Sequence, residues 1–164
     1  MSQSFPLRRA ALAAALALMA LAGPAQAAGI VRVSFVQPER YTDAGFGQVE
    51  RERNTDRLAA IFQDLARRLP DGQTLDIEVL DVDLAGRVPI GSVHDTRVLT
   101  GGADWPRIKL RYNLDVGGTV QHGEETVSDM SYLQTRILGS RADEPLAYER
   151  RMLEHWFEER FLTP

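Results

Sequence analysis

From Arg107 to Val116 the chain alternates without a break between polar and apolar side chains. Ile108, Leu110, Tyr112, Leu114 and Val116 take one parity, and Arg107, Lys109, Arg111, Asn113 and Asp115 take the other. Side chains of a strand point to opposite faces in turn, so this run folds as a strand with one apolar and one wet face. Gly117-Gly118 follows as a tight hairpin turn, and Thr119 to Ser128 returns antiparallel. A half-wet hairpin must cover one face with something else, and the rest of the chain supplies the cover.

Val31, Val33 and Phe35 alternate with Arg32 and Ser34, which predicts a strand over residues 30–36. Leu58, Ile61, Phe62, Leu65 and Leu69 recur at helical spacing and predict a helix from about 48 to 68. Pro70-Asp71-Gly72 stops it. Leu75, Ile77 and Val79 then alternate with Asp76 and Glu78, but Val82 and Leu84 take the opposite parity. Either a bulge re-phases this strand, or its far end is covered on both faces. A long Gly-rich connection over 85–105 has room for a short strand near Thr96–Leu99. A last helix is expected from about Glu144 to Phe161. Asp143 stands as its cap, Pro145 lies in its first turn, and its stripe runs through Tyr148, Met152, Leu153, Trp156 and Phe157.

Strand, helix, strand in this order favours a parallel crossover. The fold expected is α+β, a two-layer sandwich in the order β-α-β-(β)-β-β-α. Two helices pack on one face of a four- to five-stranded mixed, mostly antiparallel sheet.

The N-terminus reads as an export signal. Arg8 and Arg9 precede an apolar run from Ala10 to Ala22, and Ala25-Gln26-Ala27 is a small-x-small cleavage site. The run is too short for a spanning helix, which needs about 20 residues. Cleavage between Ala27 and Ala28 leaves one α+β domain over 28–164 with no membrane span. The formal net charge of −4 becomes −6 once the two leader arginines are gone. That sign argues against nucleic acid or anionic lipid as a partner. The chain has no cysteine, which removes disulfides and thiolate chemistry.

Several stretches resemble the bacterial family known as domain of unknown function 3016. They are Leu69-Pro70-Asp71-Gly72, Asp81-Val82-Asp83-Leu84-Ala85-Gly86, Trp105-Pro106-Arg107-Ile108, Gly123-Glu124-Glu125, Asp129-Met130, and Glu149-Arg150-Arg151-Met152-Leu153 with Trp156-Phe157. The resemblance runs from Val31 to Phe161 with the stretches in the family's order. It implies a small exported bacterial protein and brings no catalytic or ligand residue.

Chemistry must therefore be sought in the residues. If the second strand runs without a bulge, Asp81 and Asp83 fall on the side of Leu75, Ile77 and Val79. Carboxylates there would need pairing or a metal. His94 and Asp95, in the loop that follows, could complete an oxygen-rich site with one imidazole. With a bulge, both aspartates turn to solvent or pair with arginines such as Arg87 and Arg97. Trp105 is either a recognition anchor or a cover for the sheet edge. Arg107, Lys109 and Arg111 form a basic outer face that either docks an anionic partner or is neutralised by acids of the next strand. Glu124 and Glu125 lie on opposite faces of their strand and suit cross-strand pairing. His122 and His155 have no metal-ligand spacing.

No nucleophile elbow, phosphate loop or zinc-protease motif occurs. The function expected is a non-catalytic binding or accessory module of the bacterial envelope, periplasmic or secreted. It would need no cofactor and would bind an unidentified envelope protein or small ligand. The alternative is a small metal-dependent hydrolase built on Asp81, Asp83, His94 and Asp95.

Overall fold

The computed structural model describes residues 29–89, 91, 97–134, 136–137, 139 and 144–163. The expected leader, the Ala27–Ala28 junction, His94, Asp95 and Asp143 lie outside the described residues.

Strand β1 (Ile30–Phe35) leads through a short 3-10 turn, Pro38–Arg40, into helix α1 (Gly47–Ala66). Strand β2 (Gln73–Asp83) follows, then the hairpin β3 (Arg107–Val116) and β4 (Thr119–Ser128). Helix α2 (Ala147–Phe157) closes the chain and runs on into a π turn, Glu158–Leu162. The sheet order is β1-β2-β3-β4, with β1 parallel to β2 and the other neighbours antiparallel. This is the expected mixed α+β sheet, with four strands. Near the position proposed for a fifth, Val98 makes one isolated bridge to Arg87.

The apolar parity of β3 meets that of β2 across the ladder: Leu114 opposite Leu75, Tyr112 opposite Ile77, Leu110 opposite Val79. These side chains are buried together with Leu58, Ile61, Phe62 and Leu65 of α1 and Met152, Leu153, Trp156 and Phe157 of α2. Removing a side chain of this size from water is worth about 1.5–3 kcal/mol, so both helices are held chiefly by these stripes.

The parity slip in β2 is a bulge. Pairing steps from Val79↔Leu110 to Asp81↔Lys109, which leaves Leu80 without a ladder partner. Val82 thereby returns to the core, fully buried. Asp81 and Asp83 join Asp76 and Glu78 on the wet face, because one inserted residue exchanges the two faces of everything beyond it.

That wet face is a mesh of ion pairs. Arg32 meets Asp76 at 3.2 Å, and Arg111 lies between Glu78 at 3.1 Å and Glu124 at 3.3 Å. Lys109 meets Glu124 at 2.9 Å, and Arg107 grips Asp83. Exposed pairs of this kind contribute about 0.2–1 kcal/mol each, so they set register and solubility more than stability.

The core face of β4 holds less apolar bulk, and α2 compensates. Gly123 stands opposite Tyr112, whose ring covers it. Next along the same face, Glu125 accepts from Trp156 Nε1 at 3.0 Å and from Arg160 at 3.1 and 2.7 Å. Trp156, Phe161 and Tyr112 meet edge to face with centroids 5.2–6.3 Å apart. The Glu125 carboxylate is thus held where alternation puts a core residue. Burial pushes its pKa up, but the bonds from Arg160 and Trp156 and the Arg160 charge outweigh it and leave the pKa below the usual value.

Candidate functional site

The residues singled out from the sequence divide between the wet face and the chain ends of the strands. Thr42 holds Asp81, donating through its backbone N–H at 2.7 Å and its hydroxyl at 2.8 Å. Asp83 is held by Arg107, whose Nε donates at 2.9 Å. Each aspartate therefore has a partner of its own on the solvent side of the sheet. No group of three or more His, Asp or Glu suited to a metal occurs among the described residues.

Trp105 is half-buried at the foot of β3, with the Arg107 guanidinium 5.0 Å from its ring centroid. The Gly-rich loop before it is tied down at Asp104. That carboxylate accepts from Thr100 N at 3.0 Å, Thr100 Oγ1 at 2.8 Å and the buried Tyr132 hydroxyl at 2.8 Å. Lys109 and Arg111 are engaged with Glu124 and Glu78 in the mesh already described. His122 and His155 are exposed.

The arrangement that sequence reading missed lies on the other side of the sheet, where the two helices begin. In α1 the buried positions are Glu50, Asn54, Leu58, Ile61, Phe62 and Leu65. In α2 they are Ala147, Glu149, Met152, Leu153, Trp156 and Phe157. The α1 stripe opens with two polar residues, and the α2 stripe carries one in its first turn, just after Ala147. Glu50 is 5% exposed, Asn54 3% and Glu149 3%. Buried groups of this kind need partners, and the structure provides them. Glu50 Oε2 accepts from Phe46 N at 2.6 Å, closing the start of α1. Asn54 Nδ2 donates to Ala44 O at 3.0 Å, and Arg57 Nη1 donates to Asn54 Oδ1 at 3.0 Å. Glu149 Oε1 accepts from Ala85 N at 2.8 Å.

Arg97 is the hub that joins these pieces. Its Nε donates to Ala85 O at 2.8 Å, and its Nη2 reaches Gly86 O at 2.6 Å, Leu84 O at 3.2 Å and Asp43 Oδ2 at 2.6 Å. The sequence reading set Arg97 against Asp81 or Asp83; the acid it meets is Asp43, which bridges to the end of β2. One planar fork thus organises three consecutive carbonyls and a carboxylate, which lysine could not match.

These groups line a cleft of about 520 Å³ between the N-terminal halves of α1 and α2. Its walls carry Arg53, Arg57 and Arg97 against Glu50, Glu144 and Glu149, with Leu99 and Leu146 as apolar patches. Its volume falls within the range of small-molecule sites, and its lining is more polar than is usual for them. Burial pushes the Glu149 carboxyl above its ordinary pKa, against the pull of the Ala85 N–H and the Arg97 charge.

The rim includes a strained residue. Leu146, directly before α2, is left-handed at φ 60 and ψ 32. That conformation costs a non-glycine residue roughly 1–3 kcal/mol and persists where surrounding structure enforces it. The expected Asp143 cap lies outside the described residues, and Pro145 precedes the helix instead of occupying its first turn.

With balanced charge, fixed guanidinium groups and a buried carboxyl of raised pKa, the cleft can hydrogen-bond a small polar solute from several sides. A signal for it was present in the sequence: polar residues at positions 50, 54 and 149, in phase with the apolar stripes. A family model described as "Protein of unknown function (DUF3016)" matches residues 29–159. No curated protein and no solved structure matches the chain.

Proposed function

Starting from its membership of the DUF3016 family, whose function is unknown, we propose that this chain is an exported, non-catalytic binding module of the bacterial envelope. Its ligand site is the cleft between α1 and α2, and its ligand is a small polar solute bearing a carboxylate or similar anionic group. The observation that carries this reading is the meeting of Arg53 and Arg57 with the buried Glu149 around about 520 Å³ of open space, beside a wall that the Arg97 fork holds in place. Guanidinium forks match carboxylate geometry, and the apolar Leu99 and Leu146 can cover a hydrocarbon portion of the ligand. Export is supported by the Arg8-Arg9 start, the Ala10–Ala22 run and the Ala25-Gln26-Ala27 site.

Nuclear magnetic resonance of the full chain against a panel of small carboxylic acids, amino acids and sugar acids tests the site. The expected result is saturable binding that perturbs Arg57, Leu99 and Leu146 and weakens at least tenfold in Arg57→Gln. Perturbation confined to the wet sheet face, or saturation by no member of the panel, overturns the reading. Cell fractionation with N-terminal sequencing tests export separately, and a mature chain beginning at Ala28 is the expected outcome.

A further inference from the structure

β4 is the last strand of the sheet, and its outer edge has no partner strand among the described residues. It runs for ten residues in unbroken register with β3, without a bulge. It carries no proline and no lysine. A long, regular edge with these protections missing is a template for another strand. At the opposite edge β1 is six residues long.

Beside the β4 edge runs a groove of about 590 Å³, walled by residues 125–128 of β4 with Asp129 just beyond it, and by one side of α2 and the turn that follows. Strand and helix run antiparallel along it, because Glu125 meets Trp156 and Arg160 at one end and Asp129 meets Arg151 at the other. These four strand residues span about 14 Å, enough for a short extended segment to pair with. The groove is acidic on balance: Glu125, Asp129, Glu154, Glu158 and Glu159 line it, and Arg160, Arg151 and Arg68 pair with Glu125, Asp129 and Glu158.

The geometry points to strand addition here: an extended segment of another protein, with lysine or arginine at alternate positions, pairs with the β4 edge and lays its basic side chains along α2. Main-chain bonds to an edge strand supply affinity without sequence preference, and alternate side chains supply selection. The carboxylates select cations and raise the association rate at low salt. A second copy of this chain is a poor occupant. Its own β4 carries no lysine or arginine to lay along the acidic wall, so an antiparallel β4–β4 pair would leave the carboxylates of α2 unanswered. This surface is separate from the cleft between the helices.

The test uses the full chain and a blocked nonapeptide alternating lysine with valine. The expected result is saturable binding, with resonance shifts confined to residues 119–129 and 151–159 and affinity falling at least tenfold between 50 and 300 mM salt. Two versions of the peptide, N-methylated on one or the other set of alternate residues, separate strand pairing from charge attraction. One version binds like the parent and the other loses at least tenfold. A triple Glu154→Gln, Glu158→Gln, Glu159→Gln variant, with its fold verified by circular dichroism, binds the parent peptide at least tenfold more weakly. Equal binding of both methylated peptides, shifts outside those segments, or a β4-linked dimer in sedimentation overturns the proposal.

Discussion

The backbone N–H of Ala85 donates to Glu149 Oε1 at 2.8 Å, joining the residue two places beyond β2 to the first turn of α2 across 64 positions of sequence. Both partners are buried, so the bond fixes the position of α2 relative to the far end of β2. Glu149→Ala leaves the Ala85 N–H without a partner and is expected to cost about 1–3 kcal/mol, read as a lower midpoint in urea unfolding.

Glu149→Gln keeps the acceptor and removes the ionisation. The folded-state pKa of Glu149 lies above the unfolded value near 4.5 because burial disfavours the charged form. Its contribution to stability is therefore full below about pH 4.5 and declines as pH rises through the folded-state pKa. Urea unfolding from pH 4 to 7 should show the variant gaining on the wild type as pH rises, with the gain absent at the acid end.

Arg97→Lys is expected to destabilise almost as much as Arg97→Ala. An ammonium keeps the charge near Asp43 but cannot serve the Leu84, Ala85 and Gly86 carbonyls together. A loss of about 1–3 kcal/mol for either variant follows from the stranded buried acceptors, and chemical denaturation measures it. Near-equal destabilisation would show that the fork geometry, and not the charge alone, holds the segment.

Gly123→Ala places a methyl group 2.6 Å from Tyr112 Cζ and Oη. The ring must move, at a cost of about 1–3 kcal/mol. A double-mutant cycle with Tyr112→Leu should recover part of the loss, since the two sites share one contact.

Among the described residues Gln37 is the other left-handed non-glycine position, at φ 52 and exposed. Gln37→Gly removes the strain and loses the exposed bond from Arg40. The relief of roughly 1–2 kcal/mol is partly offset by glycine's greater freedom when unfolded. A net stabilisation of about 0.5 kcal/mol or more is expected in thermal unfolding.

Periodicity carried most of the architecture. The residue 107–128 hairpin, the first strand and the two helical stripes each announce themselves in side-chain spacing, because burial on one face leaves its period in the sequence. The bulge at Leu80 was legible as a parity slip, but not its resolution, which depends on how β3 pairs beyond Val79. Helix α2 starts at Ala147, later than spacing predicts, because the chain enters it through Leu146 in a conformation leucine rarely adopts. The cleft is hidden in the sequence because Glu50, Asn54 and Glu149 are of residue types usual at the surface, and only their phase with the apolar stripes marks them as buried. Segments that carry the family resemblance meet in space: Asp83 with Arg107, Ala85 with Glu149, Glu125 with Trp156, Asp129 with Arg151. These contacts give that resemblance a structural meaning that no single stretch displays.

The two tryptophans of the chain stand on opposite sides of the sheet, Trp105 beside Arg107 and Trp156 among Tyr112, Phe157 and Phe161. The molecule therefore carries two native optical probes, one for each surface of the layer. With either indole replaced by phenylalanine, the emission of the survivor reports events on its own side alone.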